Sequence, residues 1–291
     1  MHTIEIPEKA ITVSLPSHWD ECTPEQATHI LSKAFDVISG QMSLLEFRVH
    51  VFIYLTKLKL GWKYHVKNKL GKAETINERI YHLSEQLCDW IFHQRQDGSY
   101  ELRFDTVQNH FPTLLGTYHG PADLLADMTF GEFKTALSFL SEISDQDTDA
   151  KNVALDYFIA TLYRPKGKDG KRVAFHNYVI EPETFKKAPN WQKQAIVLWF
   201  TYCIQALQTE DLTINGVDVN FEPLFPQGGS TSDARPGKTN LGWTAILIDI
   251  AESGVYGNAT ETSQTLLYDI LLYLLKRHQD NEHMKKQMKK Q

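Results

Sequence analysis

The sequence is poor in cysteine and has no long apolar run. Its three cysteines, Cys22, Cys88 and Cys203, lie far apart without a Cys-x-x-Cys pair, which fits small buried thiols in a reducing compartment. No apolar stretch approaches the roughly eighteen residues that span a bilayer, so we expect no membrane partner. Residues 1–13 lack the basic start and apolar stretch of a secretory signal, and we therefore expect a cytoplasmic protein.

The common catalytic and cofactor motifs are absent as well. The chain contains no HExxH, GxSxG or SxxK and no glycine-rich dinucleotide fingerprint, the patterns that mark zinc proteases, serine enzymes and dinucleotide sites. None of the twelve histidines forms a zinc-finger spacing with a cysteine. Cys88 and Asp89 are adjacent, but neighbouring helical residues point about 100° apart and do not form a dyad. The absence of these motifs favours a protein that is not an enzyme and holds no cofactor or metal.

A partial phosphate-loop motif ends at Gly237-Lys238-Thr239. The complete motif requires a glycine five residues before the second one, so that backbone N–H groups can curl around a phosphate. Ser232 occupies that position, and the segment before it is a poor buried strand. A flexible linker is therefore the favoured interpretation.

A second partial motif has the oxygen spacing of a calcium-binding loop. Asp145, Asp147 and Asp149 take positions 1, 3 and 5, and Asp156 takes position 12. The sharp turn of a calcium loop needs a glycine, and Ala150 stands in its place. We favour an acidic helix N-terminus instead, stabilised by the helix dipole.

The net charge of −6 is unevenly distributed along the chain. Residues 276–291 hold six Lys or Arg against Asp280 and Glu282, which makes +4, so the other 275 residues carry −10. Because phosphate contact needs concentrated positive charge, an acidic body is unsuited to nucleic acid, and we expect no such partner.

A shorter basic stretch, residues 164–172, has no aromatic side chains interleaved for base stacking. A solvated turn is the favoured interpretation, and a contact with phosphate or RNA is the alternative. The charges of this stretch are Arg164, Lys166, Lys168, Lys171 and Arg172.

Local signals predict a mainly α fold, a multi-helix globular body with small β-hairpin additions. The chain is long enough for one large domain or two modest ones, and 42% of it is apolar. N-cap residues, with capping boxes at Thr23–Gln26 and Ser43–Glu46, and apolar stripes predict about eight helices. They begin near Thr23, Ser43, Thr75, Thr129, Asp149, Asn190, Leu241 and Asn258. Short strands are predicted around Pro7-Glu8-Lys9, in residues 97–104 and in residues 172–180.

The predicted organisation has three parts. Residues 1–225 form a mainly helical body, and residues 226–240, rich in Gly, Ser, Thr and Pro, form a flexible linker. Residues 241–291 form a pair of helices with a basic tail. The apolar faces of the pair are Trp243, Ile246, Leu247, Ile250 and Ala251 on one helix and Leu266, Ile270, Leu271 and Leu274 on the other.

The tail keeps helix-forming residues after Leu275 but has no apolar face to bury. Such a helix either binds a partner or ends in solvent as a frayed, solubilising tail. The residues alone leave both interpretations open. The candidate partner-binding residues are Trp243, Lys276, Arg277, Met284, Lys285, Lys286, Met288, Lys289 and Lys290.

Residues 241–291 resemble the ends of tail-assembly proteins of phages and prophages. The similarity lies in Gly242-Trp243 at a helix start, the Ala251–Gly254 stop, the Gly257-Asn258 turn and the lysine-rich final helix. The opening sequence LPSHWDECTPEQ is similar to phage-derived proteins. The resemblance implies a chaperone-like factor of the host cytoplasm, without catalytic residues, that keeps the elongated tape-measure protein soluble until assembly.

The leading hypothesis is a non-enzymatic interaction protein whose basic tail engages an acidic coiled-coil partner, such as a tape-measure protein, by a helix-in-groove contact. An enzyme with a site assembled across the fold is one alternative; it would use residues such as His110, His119, Asp145 and Lys238. A nucleic-acid-binding accessory factor acting through residues 164–172 is the other.

Overall fold

The computed structural model describes residues 1–6, 11–143, 148–214, 216–225 and 243–289. The protein is 60% helical with small antiparallel sheets of two or three strands, so the predicted mainly α class is confirmed. Within the described residues, no helix combines the length and the apolar character needed to cross a membrane.

The helices and strands alternate irregularly along the chain. The α-helices of the described residues are α1 (Pro24–Ile38), α2 (Leu44–Thr56), α3 (Trp62–Lys69), α4 (Glu74–Leu87), α5 (Phe130–Ile143), α6 (Thr148–Leu162), α7 (Pro182–Phe185), α8 (Asn190–Thr209), α9 (Trp243–Ser253), α10 (Ala259–Gln264) and α11 (Leu267–Met288). The strands are β1 (His2–Ile6), β2 (Ile11–Leu15), β3 (Phe92–Gln94), β4 (Tyr100–Leu102), β5 (Thr113–Leu114), β6 (Tyr118–His119), β7 (Arg164–Pro165), β8 (Asp211–Ile214) and β9 (Val217–Asn220).

Backbone contacts divide the chain into two compact units. The first unit comprises Met1–Thr106 with Asn190–Ala195, and the second comprises Val107–Pro189 with Ile196–Gln291. The C-terminal helices therefore belong to the same unit as residues 107–189. The predicted linker, residues 226–240, lies outside the described residues.

In the first unit, α1 and α2 begin at the two capping boxes that the sequence predicts. Thr23 Oγ1 accepts the N–H of Gln26, and Gln26 Oε1 accepts the N–H of Thr23 in return. Ser43 and Glu46 repeat the pattern at the start of α2. Each box satisfies two backbone donors that a helix start leaves without partners.

Two hairpins and three helices build the core of this unit. β1 pairs with β2, and β3 pairs with β4, both antiparallel, as the hairpin signals predict. α1 and α4 pack on α2. The buried Phe47 of α2 meets Phe92 of β3 edge to face at 5.1 Å between ring centroids, an arrangement that favours both rings.

The second unit is built around α5, α6 and the part of α8 from Ile196 onward. Phe158 of α6 and Phe133 of α5 both contact the ring of Phe200 in α8, at 5.2 and 6.0 Å. β5, β6 and β7 form a small sheet that pairs His119 with Arg164 at the end of α6. This pairing places the start of the basic stretch 164–172 beside β6.

Some local predictions are wrong. The predicted third helix forms as α4 and begins at Glu74; it has no side-chain cap, so Thr75 lies inside its first turn and does not cap it. Residues 172–180 form no strand: Arg172 makes only an isolated bridge to Lys166, and a short 3-10 turn follows at Phe175–Asn177. The side chain of Arg172 turns inward to an ion pair with Glu132, and a 3-10 turn replaces the extended backbone of a strand.

The predicted last helix is in fact two helices. Asn258 and Glu261 cap α10 reciprocally, and the chain is then extended at Thr265 and Leu266 before α11. The N–H of Phe130 donates to the carbonyl of Thr265 at 2.9 Å, and the N–H of Leu267 donates to the carbonyl of Met128 at 2.9 Å. This two-bond clamp to the start of α5 interrupts the helix.

Candidate functional site

The final helix, α11, has a packed half and a solvated half. Leu267, Ile270 and Leu271 are buried, and the last buried residue is Leu275. Between 276 and 289 every side chain is exposed except those of His278 and Glu282, which are half-buried. The helix therefore continues for about 20 Å at 1.5 Å per residue beyond its last core contact.

The packed half is fixed by the helices before it. The hydroxyl of Tyr256 donates to the carbonyl of Asp269 at 3.0 Å, and the hydroxyl of Tyr273 donates to Ser253 Oγ at 3.2 Å. These two bonds tie α11 to the end of α9. The root of the exposed helix is thus held in a defined direction within its unit.

Trp243, a predicted partner-binding residue, lies in an aromatic cluster. Its ring contacts Phe133 at 5.4 Å, Phe225 at 5.9 Å and Phe130 at 6.0 Å. Trp243 also lines a groove of about 290 Å³ between α9 and α11, together with Ile246, Leu271, Leu274 and Arg277. The cluster gives Trp243 a packing contact in addition to any role in binding.

The other predicted partner-binding residues are brought together on the solvated half of α11. Met284 is 51% exposed and Met288 is 69% exposed. Lys276 pairs with Asp280, and Lys285 pairs with Glu282 at 2.8 Å, where the Lys285 hydrogen bond lowers the pKa of Glu282. Such i,i+3 and i,i+4 pairs help a helix persist in water. Arg277, Lys286 and Lys289 are exposed, and Lys290 lies outside the described residues.

A second candidate site, which the motifs do not reveal, is a cleft in the second unit. It encloses about 720 Å³, within the usual range for small-molecule sites. Its walls come from the loop after β6, the turn before α5 and the loop of residues 166–175. The charged side chains that line it are Asp123, Asp127, Glu132, Arg164, Lys166, Lys171 and Arg172.

A buried ion network forms the floor of the cleft. Glu132 has no solvent exposure, and its Oε1 lies 2.9 Å from Arg164 Nη1 and 2.8 Å from Arg172 Nη1. Arg164 Nη2 donates to Glu132 Oε2 at 3.0 Å, which makes that pair bidentate. Both guanidinium groups also donate to backbone carbonyls, those of Thr161 and Leu162 among them.

The network corrects the solvated-turn interpretation of residues 164–172. Arg164 and Arg172 have side chains only 3% and 7% exposed, and they anchor the loop rather than extend into solvent. Glu132 is the N3 residue of α5 below the Thr129 cap, a position at which the sequence suggests only a capping role. Nothing in the local sequence links it to an arginine 32 residues later.

Two lysines of the loop remain at the mouth of the cleft. Lys166 and Lys171 are exposed and, within the described part of the chain, neither ammonium group has a carboxylate at ion-pair distance. His119 lines the same cleft, and desolvation, then the charge of Lys166, lowers its pKa. Lys166 and Lys171 line the same cleft, and their ammonium groups are chemically suited to hold an anionic group.

The three cysteines offer no nucleophile. Cys22, Cys88 and Cys203 are all buried. Desolvation raises the pKa of Cys22 to about 12 and that of Cys88 to about 12, and it raises the pKa of Cys203 further. Because the thiolate is the reactive form, these thiols are inert in the folded chain.

The remaining candidate residues are His110, Asp145 and those of the partial phosphate loop. His110 is buried, whereas Asp145, Lys238 and the partial phosphate loop lie outside the described residues. The acidic segment is helical from Thr148 onward, and no group of three potential metal ligands occurs in the part of the chain that the structure describes. Comparisons with family models, curated proteins and solved structures find no match to this chain.

Proposed function

We propose that the chain is a non-enzymatic, cytoplasmic interaction protein that binds an acidic, helical partner through the solvated half of α11, with phage or prophage tail assembly as its biological setting. The observation that carries the proposal is a helix that extends well past its own core. Ordering residues that bury nothing has an entropic cost, which binding of a partner would offset.

The side chains of the exposed half of α11 favour a partner that is both acidic and helical. Its Lys and Arg side chains exceed its acidic residues, so the complementary surface is acidic. Met284 and Met288 lie one turn apart and are both exposed. Methionine adapts to irregular apolar surfaces, and an i,i+4 pair of this kind fits the seam or groove of a helical partner.

The packed half of α11 supports binding through a helix that is already formed and oriented. Because Tyr256 and Tyr273 fix its direction at the root, the exposed half reaches a partner in a preset orientation. A binding helix that is already formed loses less entropy on association than a disordered tail. In the tail-assembly setting, a long helical tape-measure protein would be the partner.

The charge requirement is testable with a triple substitution. We expect K285E/K286E/K289E to weaken partner binding at least about tenfold, because three cations facing an acidic surface become anions. The free energy of unfolding should stay within about 1 kcal/mol of wild type, since all three side chains are exposed and the ion pair that is lost is Lys285–Glu282. Binding is measured as partner co-purified with the tagged chain, and stability by urea unfolding.

The matched control is K285R/K286R/K289R, which keeps charge and position. It should retain the partner at wild-type level. Equal recovery of the partner by the Glu and the Arg variants would refute binding through this helix.

A further inference from the structure

A lysine-rich segment of the first unit turns apolar side chains toward solvent. Residues 57–72 hold six lysines and neither Asp nor Glu; since the whole chain carries −6, the other 275 residues carry −12. Positive charge concentrated in this way on an acidic protein favours an anionic surface as its counterpart. The lysines are Lys57, Lys59, Lys63, Lys67, Lys69 and Lys72.

The helix within this segment, α3, faces the protein with its polar side. The hydroxyl of Tyr64 donates to Asn77 Oδ1 of α4 at 2.7 Å. Asn77 Nδ2 in turn donates to Asn68 Oδ1 at 2.9 Å. Tyr64 and Asn68 are four residues apart and share one face, so a three-residue hydrogen-bond chain attaches α3 to α4.

The opposite side of α3 carries an apolar stripe. Trp62, Val66 and Leu70 follow one another at intervals of four residues, and their exposed fractions are 72%, 44% and 63%. Trp62 and Tyr64 are about 200° apart around the helix axis. No residue of α3 is buried. An amphipathic helix in a water-soluble protein normally buries its apolar face, and this one presents it outward.

Lysines border the stripe on both sides. At 100° per residue, Lys63 and Lys67 flank it on one side and Lys69 flanks it on the other. The C-terminal end of α3 is well defined. Gly71 has φ of 68°, and the N–H of Lys72 donates to the carbonyl of Lys67 at 2.8 Å. This is a glycine-dependent helix termination, so the stripe belongs to a defined helix.

The exposed apolar stripe decides between a nucleic acid and a lipid surface as the occupant. A nucleic acid offers phosphates to the lysines but no apolar medium for Val66 and Leu70. A bilayer surface accepts both: the apolar stripe enters the boundary between headgroups and acyl chains, and lysines reach the anionic headgroups. Tryptophan prefers that boundary. A helix lying on a bilayer needs no membrane-crossing segment, so the finding on crossing helices does not bear on it.

We propose that α3 docks on an anionic lipid surface, with Trp62, Val66 and Leu70 inserted and the flanking lysines bound to lipid phosphates. The interaction is peripheral and is separate from the partner site on α11. It depends on charge and on the apolar stripe together, since each lysine near an anionic leaflet adds electrostatic attraction.

Co-sedimentation of the full chain with lipid vesicles tests the proposal. One set of vesicles contains phosphatidylcholine alone, and the other contains phosphatidylcholine and phosphatidylglycerol at roughly three to one. We expect the bound fraction on anionic vesicles to exceed that on neutral vesicles at least about fivefold and to fall as salt is raised. An equal bound fraction on both kinds of vesicle would overturn the proposal.

Two variants separate the contributions, and a third is the control. W62E removes the apolar anchor, and K63E/K67E reverses two flanking charges; each should lower the affinity for anionic vesicles at least about tenfold. K285E/K286E makes the same charge change on α11 and should leave vesicle binding within about twofold of wild type. Equal losses in the α3 and α11 variants, or wild-type binding by W62E, would contradict the assignment.

Binding of the chain to poly(U) RNA, measured in parallel, distinguishes a lipid surface from a nucleic acid as the ligand of α3. The chain should bind vesicles more tightly than the RNA at the same ionic strength. Trp62-dependent binding of RNA without binding of anionic vesicles would replace the lipid surface by a nucleic acid.

Discussion

Replacing Glu132 by Gln should destabilise the protein by about 3–5 kcal/mol, because it leaves two buried guanidinium groups without their shared carboxylate. Glu132 is fully buried and touches both Arg164 and Arg172 within 3.0 Å. Glutamine keeps the shape of the side chain, so the loss is electrostatic rather than a cavity. The midpoint of thermal unfolding should fall by about 10 °C.

The control for this substitution is Asp127→Asn. Asp127 also pairs with Arg172, at 2.9 Å, but its side chain is 47% exposed. An exposed pair contributes about 1 kcal/mol or less, and the variant should unfold close to wild type. If urea unfolding placed E132Q within 1 kcal/mol of wild type as well, the buried network would not anchor the loop as described.

Replacing Gly131 by Ala should cost about 2 kcal/mol, because the helix start of α5 is packed directly against α10. A Cβ at this position would lie 2.0 Å from Ser263 Oγ and 3.0 Å from the Ser263 carbonyl oxygen. The clamp between residues 128–130 and 265–267 prevents α10 from moving away freely. Urea unfolding measures the loss.

Ser263→Gly tests the cause of that loss. The substitution removes both the Oγ and the Cβ of Ser263, which lies 3.2 Å from the new methyl group. G131A should therefore cost less in the S263G background than in wild type, by about 1 kcal/mol in a double-mutant cycle. Gly61→Ala is a matched control, since nothing lies within 4 Å of a Cβ there; an equal loss at Gly61 would exclude steric contact as the reason.

The predictable features of the fold are those formed by residues close together in the sequence. The capping boxes at Thr23 and Ser43 lie within four residues of sequence, and both form as predicted. The Asn215-Gly216 pair is an equally local hairpin signal, and β8 and β9 flank it with Leu212 and Val219 buried. This hairpin is not among the predicted strands, although its two-residue turn signal is local.

Long-range pairing was the unpredictable part. Arg164 and Glu132 are 32 residues apart, and no periodicity connects them. The sequence marks both as charged, yet only the packing of α5 against α6 makes them a buried pair. The same limit applies to the cleft, whose lining residues come from separate segments between 109 and 266.

The sequence also does not predict whether an apolar helix face points into the protein or toward solvent. The helix-forming sequence after Ser43 continues to Leu60, whereas α2 ends at Thr56 and Lys57 adopts a left-handed conformation with φ of 52°. A stripe such as Trp62, Val66 and Leu70 predicts a face that will be covered. Whether the cover is the protein itself or a partner depends on tertiary contacts, here the polar attachment of Tyr64 to α4.

Removing the solvated half of α11 is the most direct test of whether this helix binds a partner. The tagged full chain and a variant lacking residues 276–291 would be purified from the native host and compared by mass spectrometry. We expect the full chain to recover an acidic, long helical protein, and the deletion variant to remain folded but recover none. Recovery of the same partner by both chains, or of no partner by the full chain, would contradict the claim.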